Sequence, residues 1–336
     1  MELPLLIVVS SLLFALVAAI AVVIRCLSQR RPAFVRYESE KYFLDPKTST
    51  KHLFPNLLES RDSVYISVVI PAYNEEKRLP IMLDEAIDYL ERRSHEQQSS
   101  GTDLPTGSRF SYEIIIVDDG SNDKTTEVGH KYSLEYGCDK VRVLTLEENR
   151  GKGGAVRLGM LSARGKLLLL ADADGATLFK DIERLESFLY KSSKSEKDIL
   201  HSLAIGSRKH LEDEAKAKRS FFRTLLMIGF HFLVWFFTVK TIRDTQCGFK
   251  MFGRQVAKVL FPAIHVERWA FDVELLLLAE RLNIRMGEIP VTWTEIEGSK
   301  IIPVFSWLQM GKDVILVSLM YTIKAWDIPN YRHIYN

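Results

Sequence analysis

Cysteine is scarce in this chain of 336 residues, which has only three, at Cys26, Cys138 and Cys247. Their spacing matches no CxxC metal or redox motif, and three are too few for a disulfide framework, so the composition suits a reducing compartment. An excess of one charge is also lacking, because 45 Lys and Arg residues against 43 Asp and Glu residues leave a net charge of +2. This balance excludes a nucleic-acid binder that depends on a basic surface. Disorder is excluded too, since 47% of the residues are hydrophobic.

One long apolar run stands near the start of the chain, where residues 3–24 carry no charged side chain. A helix of that length extends ~33 Å at ~1.5 Å per residue, enough for a bilayer core of roughly 30 Å. A cleaved signal peptide would begin with basic residues and have a shorter apolar stretch. Here the only charged side chain before the run is Glu2. We therefore expect a transmembrane anchor over residues 1–25.

Positive charge follows this run and does not precede it. The basic residues just after it are Arg25, Arg30, Arg31, Arg36 and Lys41. The positive-inside rule then places the rest of the chain in the cytosol, and the lack of any Asn-x-Ser/Thr sequon agrees with that orientation. We expect a polar, partly basic stalk at 26–62 and a cytosolic domain at 63–302.

Short apolar runs alternate with helical patterns through the first half of that domain. Strands are predicted at 64–71, 112–117, 141–146 and 166–170, helices at 74–93, from about Lys124 and after Gly154, and a surface loop at 94–111. This alternation is typical of an open, mainly parallel α/β sheet flanked by helices. Ligands of such sheets bind at the carboxyl ends of the strands. Because polar residues follow all four predicted strands, we expect one site there.

Two later apolar segments, 221–239 and 303–326, are interrupted by charged or titratable residues such as Arg223, His231 and Lys312. This pattern favours amphipathic helices at a membrane surface over further spanning helices. Two helices that pack in the domain core are the alternative.

Acidic pairs end two of the predicted strands. Asp172 and Asp174 are spaced i, i+2, and burying both as anions is costly unless a cation lies between them. Mg²⁺ or Mn²⁺ suits such a place, since it binds one or two carboxylates together with substrate phosphates. A solvated acidic turn is the alternative. Asp118 and Asp119 suit either a helix N-cap or hydrogen bonds to a base or ribose.

A glycine-rich stretch at 149–154 offers backbone amides and Lys152 to a phosphate or sugar. It does not match GxGxxG, and the chain contains no GxxxxGK[ST] motif. Rossmann and P-loop interpretations therefore fail.

The order of the motifs is more specific than any one of them. PAYNEE (71–76), VDDGS (117–121), NRGKGGA (149–155) and ADADG (171–175) follow one another at spacings that resemble the family 2 glycosyltransferases with the GT-A fold. Further motifs narrow the resemblance to the branch that transfers glucose to dolichyl phosphate: GSRKHL (206–211), IRDTQCGFKMF (242–252), HVERWAFDVELL (265–276) and TEIEGSK (294–300).

The resemblance implies UDP-glucose as donor, dolichyl phosphate as acceptor, Mg²⁺ or Mn²⁺ as cofactor, and a single-pass protein of the endoplasmic reticulum membrane. The product would be the lipid-linked glucose used in N-glycan precursor assembly. The site residues that it implies for donor and metal fall into four groups: Pro71, Ala72, Tyr73 and Glu75 for uracil and ribose, Asp118 for the base with Asp119 beside it, Gly151, Lys152 and Gly153 for the donor pocket, and Asp172 and Asp174 for the metal.

One motif departs from the pattern of the family members that build polysaccharides. Processive members of the family carry Gln-x-x-Arg-Trp, whereas His265 precedes Arg268 and Trp269 here. This difference argues against a polysaccharide synthase.

The chemistry of the acceptor predicts which residues bind it. A lipid phosphate monoester is largely dianionic near neutral pH, with a second pKa of about 6, so it needs cations and no general base. Arginines bind phosphates in bidentate fashion. The basic candidates in the motifs are Arg208, Lys209, Arg219, Arg243 and Arg268, of which we prefer Arg208 and Arg268.

An alcohol acceptor would instead need a base, for which Asp244 and Asp272 are candidates. Direct displacement by one nucleophile inverts the anomeric centre, so α-linked UDP-glucose would give a β-linked product. Two alternatives stay open: a sister enzyme that uses GDP-mannose, and a membrane-tethered module that binds a nucleotide sugar without turnover.

Overall fold

The computed structural model describes residues 2–29, 35–100, 109–191, 193, 195–211, 229, 233–296 and 305–330. Its strands are β1 (Tyr42–Asp45), β2 (Thr50–Leu53), β3 (Val64–Ala72), β4 (Tyr112–Asp118), β5 (Val141–Thr145), β6 (Gly165–Ala171), β7 (Ser202–Ser207), β8 (Phe249–Gly253) and β9 (Arg285–Pro290). Its α-helices are α1 (Glu2–Gln29), α2 (Leu79–Ser100), α3 (Thr125–Tyr136), α4 (Lys152–Leu161), α5 (Ile182–Lys191), α6 (Glu196–Leu200), α7 (Arg254–Ala263), α8 (Phe271–Arg281) and α9 (Phe305–Thr322).

Seven strands form one sheet in the order β5-β4-β3-β6-β8-β7-β9. Every neighbouring pair is parallel except the two that involve β8, which runs antiparallel to β6 and β7. The mainly parallel α/β sheet is thus confirmed. The carboxyl ends of β3, β4, β6 and β7 consequently meet at one edge, where polar loops gather.

Both faces of the sheet are covered, which explains why its strands read as continuous apolar runs. On β3, Val69 packs with α4, α7, α8 and α9. Its neighbours Val68 and Ile70 point to the other face and pack with α2 and α5. The side chains of successive strand residues therefore belong to two separate cores.

Helix α2 departs from the sequence prediction at both ends. It starts at Leu79 rather than 74, because Asn74 has a φ of 53° and residues 74–78 form a turn. It continues to Ser100, so the surface loop expected from residue 94 is wrong as far as residue 100. The last two turns are polar on every side, and hydrophobic periodicity cannot detect such a helix. Residues 101–108 lie outside the described part.

The stalk expected at 26–62 is wrong from residue 36 onward. Strands β1 and β2 form an antiparallel hairpin, and Phe54 and Leu57 are buried in the core beneath it. Glu40 has no exposed surface at all. This segment is part of the folded domain.

The C-terminal segment forms helix α9, and its inner face, with Met310, Val314 and Val317, belongs to the domain core. Its outer side exposes Ile315. Most of the 221–239 segment lies outside the described residues. Helix α1 covers the anchor expected over residues 1–25. Among the described residues, no helix reaches both the length and the apolar character needed to cross a membrane.

Candidate active site

A cavity of about 780 Å³ opens at the carboxyl-end edge of the sheet. Its walls come from the loops after β3, β4, β5, β6, β7 and β9, the loop before β8, and the turn that starts α8. The predicted site residues that line it are Pro71, Ala72, Tyr73, Glu75, Asp119, Gly151, Lys152, Asp172, Asp174, Arg208 and Arg268. Three further predicted residues, apart from the less favoured basic candidates, do not line it: Asp118, Gly153 and Asp244.

Asp119 is the carboxylate that reaches this cavity from β4. Its Oδ1 accepts a hydrogen bond from the backbone N–H of Arg150 at 2.8 Å, and its Oδ2 accepts one from Gly151 at 2.9 Å. Burial raises the pKa of Asp119 to about 6, although the two backbone N–H groups favour the anion. Asp119 therefore titrates within the working range of most enzymes.

Asp118 lies behind the cavity wall and is 1% exposed. Its Oδ1 accepts from the backbone N–H of Ser121 at 2.9 Å, and its Oδ2 accepts from the Thr126 hydroxyl. Asp118 does not line the cavity, and its contact with a base stays a prediction. Its two oxygens hold the turn that leads into α3, but the N-cap alternative is not confirmed, because the N-cap of α3 is Lys124, whose side chain makes no capping hydrogen bond.

The glycine-rich loop approaches the start of α8 closely. Gly151 has a φ of 89°, which favours glycine, and a Cβ there would meet the Glu267 carbonyl oxygen at 2.9 Å. Gly153, expected in the pocket, packs against Phe271 instead. The backbone N–H of Gly154 donates to the Glu267 carbonyl at 2.9 Å. Part of this motif therefore serves packing rather than ligand binding.

Asp172 and Asp174 line the cavity together with Lys152, whose Nζ lies 2.6 Å from Asp172 Oδ1. Burial and the charge of Asp172 raise the pKa of Asp174. Burial disfavours the charged form of Lys152, but the carboxylates of Asp172, Asp272 and Asp174 outweigh it and raise its pKa. The acid pair thus carries excess negative charge in a half-buried place.

This charge suits a divalent cation. Within the described residues, no three His, Cys, Asp or Glu side chains meet in a set that could hold a metal ion. A Mg²⁺ bound through one or two carboxylates takes its other ligands from substrate phosphates and water. The Asp172–Asp174 pair fits such a metal, and a donor diphosphate would complete the ligand set.

Gly248 is pressed against this acid pair from the other side of the cavity. A Cβ at this position would overlap the Asp172 carboxylate. Glycine is therefore needed for the loop before β8 to lie against the loop after β6.

A buried ion pair lies under the cavity floor. The Nζ of Lys250, which is fully buried, donates to Asp272 Oδ1 and to the Cys247 carbonyl, both at 2.6 Å. Burial raises the pKa of Asp272, and the charges of Lys250 and Lys152 oppose that rise. Asp272 lines the cavity but is engaged with Lys250.

Arg208 is held by Asp244 through three hydrogen bonds. The backbone N–H and Nε of Arg208 donate to Asp244 Oδ2 at 2.8 and 2.9 Å, and Nη2 donates to Oδ1 at 2.8 Å. The guanidinium carbon lies 5.5 Å from the centre of the Trp293 ring. Burial would raise the pKa of Asp244, but the bonds from Arg208 lower it below the usual value. Asp244 does not line the cavity, and its role as a catalytic base stays a prediction.

Arg268 lies at the rim and is exposed. In the described part of the chain its side chain has no hydrogen bond or ion pair, although its charge lowers the pKa of Asp119. It belongs to the turn before α8, with Trp269 beside it in the cavity wall. Of the other basic candidates, Arg219 lies outside the described residues, and Lys209 and Arg243 do not line the cavity.

Glu75 is predicted to hold a ribose and is already paired. Arg78 donates to both of its oxygens, from Nε at 2.7 Å and from Nη2 at 2.6 Å. The backbone N–H of Glu75 donates to Thr125 Oγ1 at 2.8 Å, which fixes the loop after β3 to α3. The pair presents a rigid carboxylate at the cavity wall.

Comparison with known proteins settles the family. The sequence profile described as Glycosyl transferase family 2 matches residues 67–261, more than half of the chain. The chain belongs to glycosyltransferase family 2. It is accordingly an enzyme with the GT-A fold, as the motifs predicted.

Curated relatives are similar over almost the whole length. The human protein named dolichyl-phosphate beta-glucosyltransferase is 51% identical over 98% of both chains. A protein of the same name from Drosophila melanogaster is 56% identical over 88% of this chain and 87% of that one. Another from Saccharomyces cerevisiae is 41% identical over 93% of this chain and 92% of that one. A crystal structure of glucosyl-3-phosphoglycerate synthase from Mycobacterium tuberculosis has a TM-score of 0.50 at 16% identity, covering 82% of this chain and 84% of that one. That likeness concerns the fold alone.

Sequence reasoning missed several residues of this glycosyltransferase site. They include Asn74, Arg78, Asn149, Thr177, Gln246, Cys247, Trp269, Trp293, Glu295 and Ile296. The motifs around residues 242–252 and 294–300 contain some of them, so the signal was present without an assigned role. Trp293 reaches the cavity because residues 291–294 lie along the segment after β6, where Thr294 N–H donates to the Ala176 carbonyl at 2.8 Å. That pairing is long-range, and no local pattern predicts it.

Proposed function

We propose that this enzyme transfers glucose from UDP-glucose to dolichyl phosphate and releases UDP and dolichyl β-D-glucosyl phosphate. The observation that carries the proposal is the 51% identity, over 98% of both chains, with a human protein named for that activity. The cavity supports it independently, because carboxylates suited to a metal-bound diphosphate face arginines suited to a second phosphate.

The donor's nucleoside fits the end of the cavity formed by the loops after β3 and β4. Uracil has one imide N–H, and the Asp119 carboxylate, oriented by two backbone N–H groups, has lone pairs left to accept it. Glu75, held by Arg78, lies at the same wall and suits the ribose hydroxyls. The diphosphate would then extend toward Lys152 and the Asp172–Asp174 pair.

Asp172 and Asp174 would hold the Mg²⁺ or Mn²⁺, which supplies positive charge to the leaving diphosphate. The contribution of the chain itself is to keep both carboxylates in place and to balance their charge. Lys152 does so from α4, at 2.6 Å from Asp172. Gly248 allows the opposite loop to close against the same carboxylate.

The acceptor phosphate attacks C1 of glucose through one oxygen. A new bond forms between this oxygen and C1, the bond from C1 to the UDP oxygen breaks, and its electron pair leaves with UDP. A phosphate dianion has no proton to lose, so no general base is needed, in keeping with the bonds of Asp244 to Arg208 and of Asp272 Oδ1 to Lys250. Arg208 and Arg268 would neutralise the approaching phosphate, one rigid and one free to turn toward it. The in-line displacement gives the β-anomer.

We also propose that α1 attaches the enzyme to the endoplasmic reticulum membrane with the catalytic domain in the cytosol. Apolar side chains of this helix are exposed, among them Leu12, Leu13 and Phe14. Basic residues cluster after the helix. Extraction with alkaline carbonate should leave the chain in the pellet, and protease should digest the domain in intact microsomes. Release into the supernatant would contradict the attachment.

Transfer of label tests the activity. Purified enzyme is incubated with dolichyl phosphate, Mg²⁺ and either UDP-[¹⁴C]glucose or GDP-[¹⁴C]mannose, and the lipid extract is counted. We expect label in the lipid only from UDP-glucose, and no label when the enzyme is Asp174→Asn. The control Asp84→Asn makes the same change on the exposed side of α2 and should transfer label like the wild type. Label from GDP-mannose would reveal the sister activity. Binding of UDP-glucose without transfer to any lipid phosphate would reveal a binding module.

A further inference from the structure

The segment at 35–41, which we name the N-terminal clamp, lies against the loop that carries Arg150 and Gly151. Its central residue is Glu40, whose side chain has no exposed surface. A carboxylate buried to this degree is stable only with several donors. Glu40 has them: its oxygens accept from the Tyr37 N–H at 3.0 Å, the Glu147 N–H at 3.3 Å and Arg150 Nη2 at 3.1 Å.

Arg150 connects the clamp to the donor end of the cavity. Its guanidinium lies 5.0 Å from the centre of the Tyr37 ring, and its Nη1 donates to the Val35 carbonyl at 2.6 Å. Its backbone N–H donates to Asp119 Oδ1, and the next N–H, of Gly151, donates to Oδ2. One residue is thus bonded to the clamp through its side chain and to the site through its main chain.

Further contacts attach the clamp along its length. The Tyr37 hydroxyl donates to Glu148 Oε1 at 3.1 Å, and the Ser39 hydroxyl donates to Glu147. Arg36 Nη2 donates to Ser162 Oγ at 2.7 Å, beyond the far end of α4. The clamp therefore holds both the loop before α4 and the residue after it.

We propose that Glu40 is a positioning residue for the donor nucleotide: it fixes Arg150 so that the backbone N–H groups of Arg150 and Gly151 orient the Asp119 carboxylate toward the base. The inference rests on the proposed use of UDP-glucose. It gives the membrane-proximal segment a part in donor binding, where the sequence predicted only a stalk.

Loosening the clamp should change the pKa of Asp119, an effect that a general loss of stability would not produce. Asp119 faces burial and the negative charge of Asp118, which favour its protonated form, and the two backbone N–H groups and Arg268, which favour the anion. Removing the two N–H bonds should raise the pKa of Asp119 further above 6. Binding of UDP-glucose should then fail at a higher pH than in the wild type.

The test compares Glu40→Gln with Glu186→Gln. Glu186 is also a nearly buried partner of an arginine, Arg93, at 2.8 Å, but neither residue lines the cavity. Binding of UDP-glucose is measured by calorimetry from pH 5 to 8 without acceptor, and thermal unfolding is recorded alongside. UDP-glucose is the probe because its diphosphate is a diester, without the titration near pH 6 of a terminal phosphate.

We expect Glu40→Gln to weaken binding about tenfold, the lower end of the range for removing a partner that orients a binding group. The pH below which UDP-glucose no longer binds should be higher than in the wild type. In the transfer assay, kcat at saturating UDP-glucose should change far less than KM for UDP-glucose. Glu186→Gln should change neither the affinity nor this pH limit. If Glu40→Gln does not fold, Arg150→Lys takes its place, since lysine keeps the charge but lacks the guanidinium fork, whose two terminal nitrogens donate separately to Val35 and Glu40.

Equal affinity and an unchanged pH limit of binding in folded Glu40→Gln would overturn the inference while leaving the proposed function intact. An equal loss in Glu40→Gln and Glu186→Gln would overturn it too, because the effect would then be general destabilisation. Wild-type enzyme that does not bind UDP-glucose at all would overturn the proposed function and this inference with it.

Discussion

Replacing Asp244 with Asn separates two roles for this carboxylate, positioning of Arg208 and general base catalysis. Asn keeps one acceptor oxygen, which can serve the two bonds now made to Oδ2, but its NH₂ group would face Arg208 Nη2 in place of Oδ1. The variant thus loses one charge-assisted hydrogen bond, which is worth about 1.5–3 kcal/mol. The Arg208 side chain is 32% exposed, so water makes up part of that loss. We expect transfer to fall about tenfold, equivalent to ~1.4 kcal/mol.

The assay is transfer from UDP-[¹⁴C]glucose to dolichyl phosphate at varied acceptor concentration, for Asp244→Asn, Arg208→Gln and the double variant. If Asp244 acts only through Arg208, KM for the acceptor rises, and the double variant is no worse than Arg208→Gln alone. Losses that multiply in the double variant would refute this reasoning, and so would an inactive Asp244→Asn beside an active Arg208→Gln. Glu186→Gln, which removes one charge from another arginine pair, serves as the control.

Three further predictions concern the donor end of the cavity, the acidic pair and the core beneath the site. Because the pKa of Asp119 is raised to about 6, binding of UDP-glucose should weaken as the pH falls through 6. Asp119→Asn should abolish that pH dependence, as measured by calorimetric titration at several pH values. Binding that still depends on pH in the variant would contradict the prediction. Gly248→Ala should abolish transfer, because its Cβ would overlap the Asp172 carboxylate, whereas Gly311→Ala in α9, where the nearest atom is at 3.6 Å, should remain active. Trp326 is 5% exposed, and the centre of its ring lies 4.1 Å from that of His265. Trp326→Ala should therefore lower the free energy of unfolding, measured in urea, by about 3–5 kcal/mol. A loss below about 1 kcal/mol would show that the fold does not depend on this stack.

His265 illustrates why a motif position must be seen in the fold. The sequence marked it only as a departure from Gln-x-x-Arg-Trp. In the structure its Nδ1 lies 2.9 Å from Glu274 Oε1, to which the Tyr321 hydroxyl also donates. These contacts join the turn of Arg268 to the C-terminal helix, across more than 50 residues of sequence.

The sequence by itself determined the sheet and the place of the site. Strands that are apolar along their whole length are typical of a parallel sheet covered on both faces, and the polar residues that follow such strands gather at one edge of it. For that reason four of the seven strands of the sheet and eleven of the cavity-lining residues were predictable from local pattern. The family followed from the order of motifs, each of them contiguous in sequence.

The tertiary structure alone decided which carboxylate of the Asp118–Asp119 pair faces the cavity, and which distant residues pair with each other. Asp118 and Asp119 are neighbours with the same chemistry, but they point to opposite sides of the strand end, so one bonds Thr126 and the other bonds the loop at 150–151. Asp244 and Arg208 lie 36 residues apart, and Glu40 and Arg150 lie 110 apart. Such pairs form only after the chain has folded, because hydrogen bonds depend on distance and direction in space rather than on residue type.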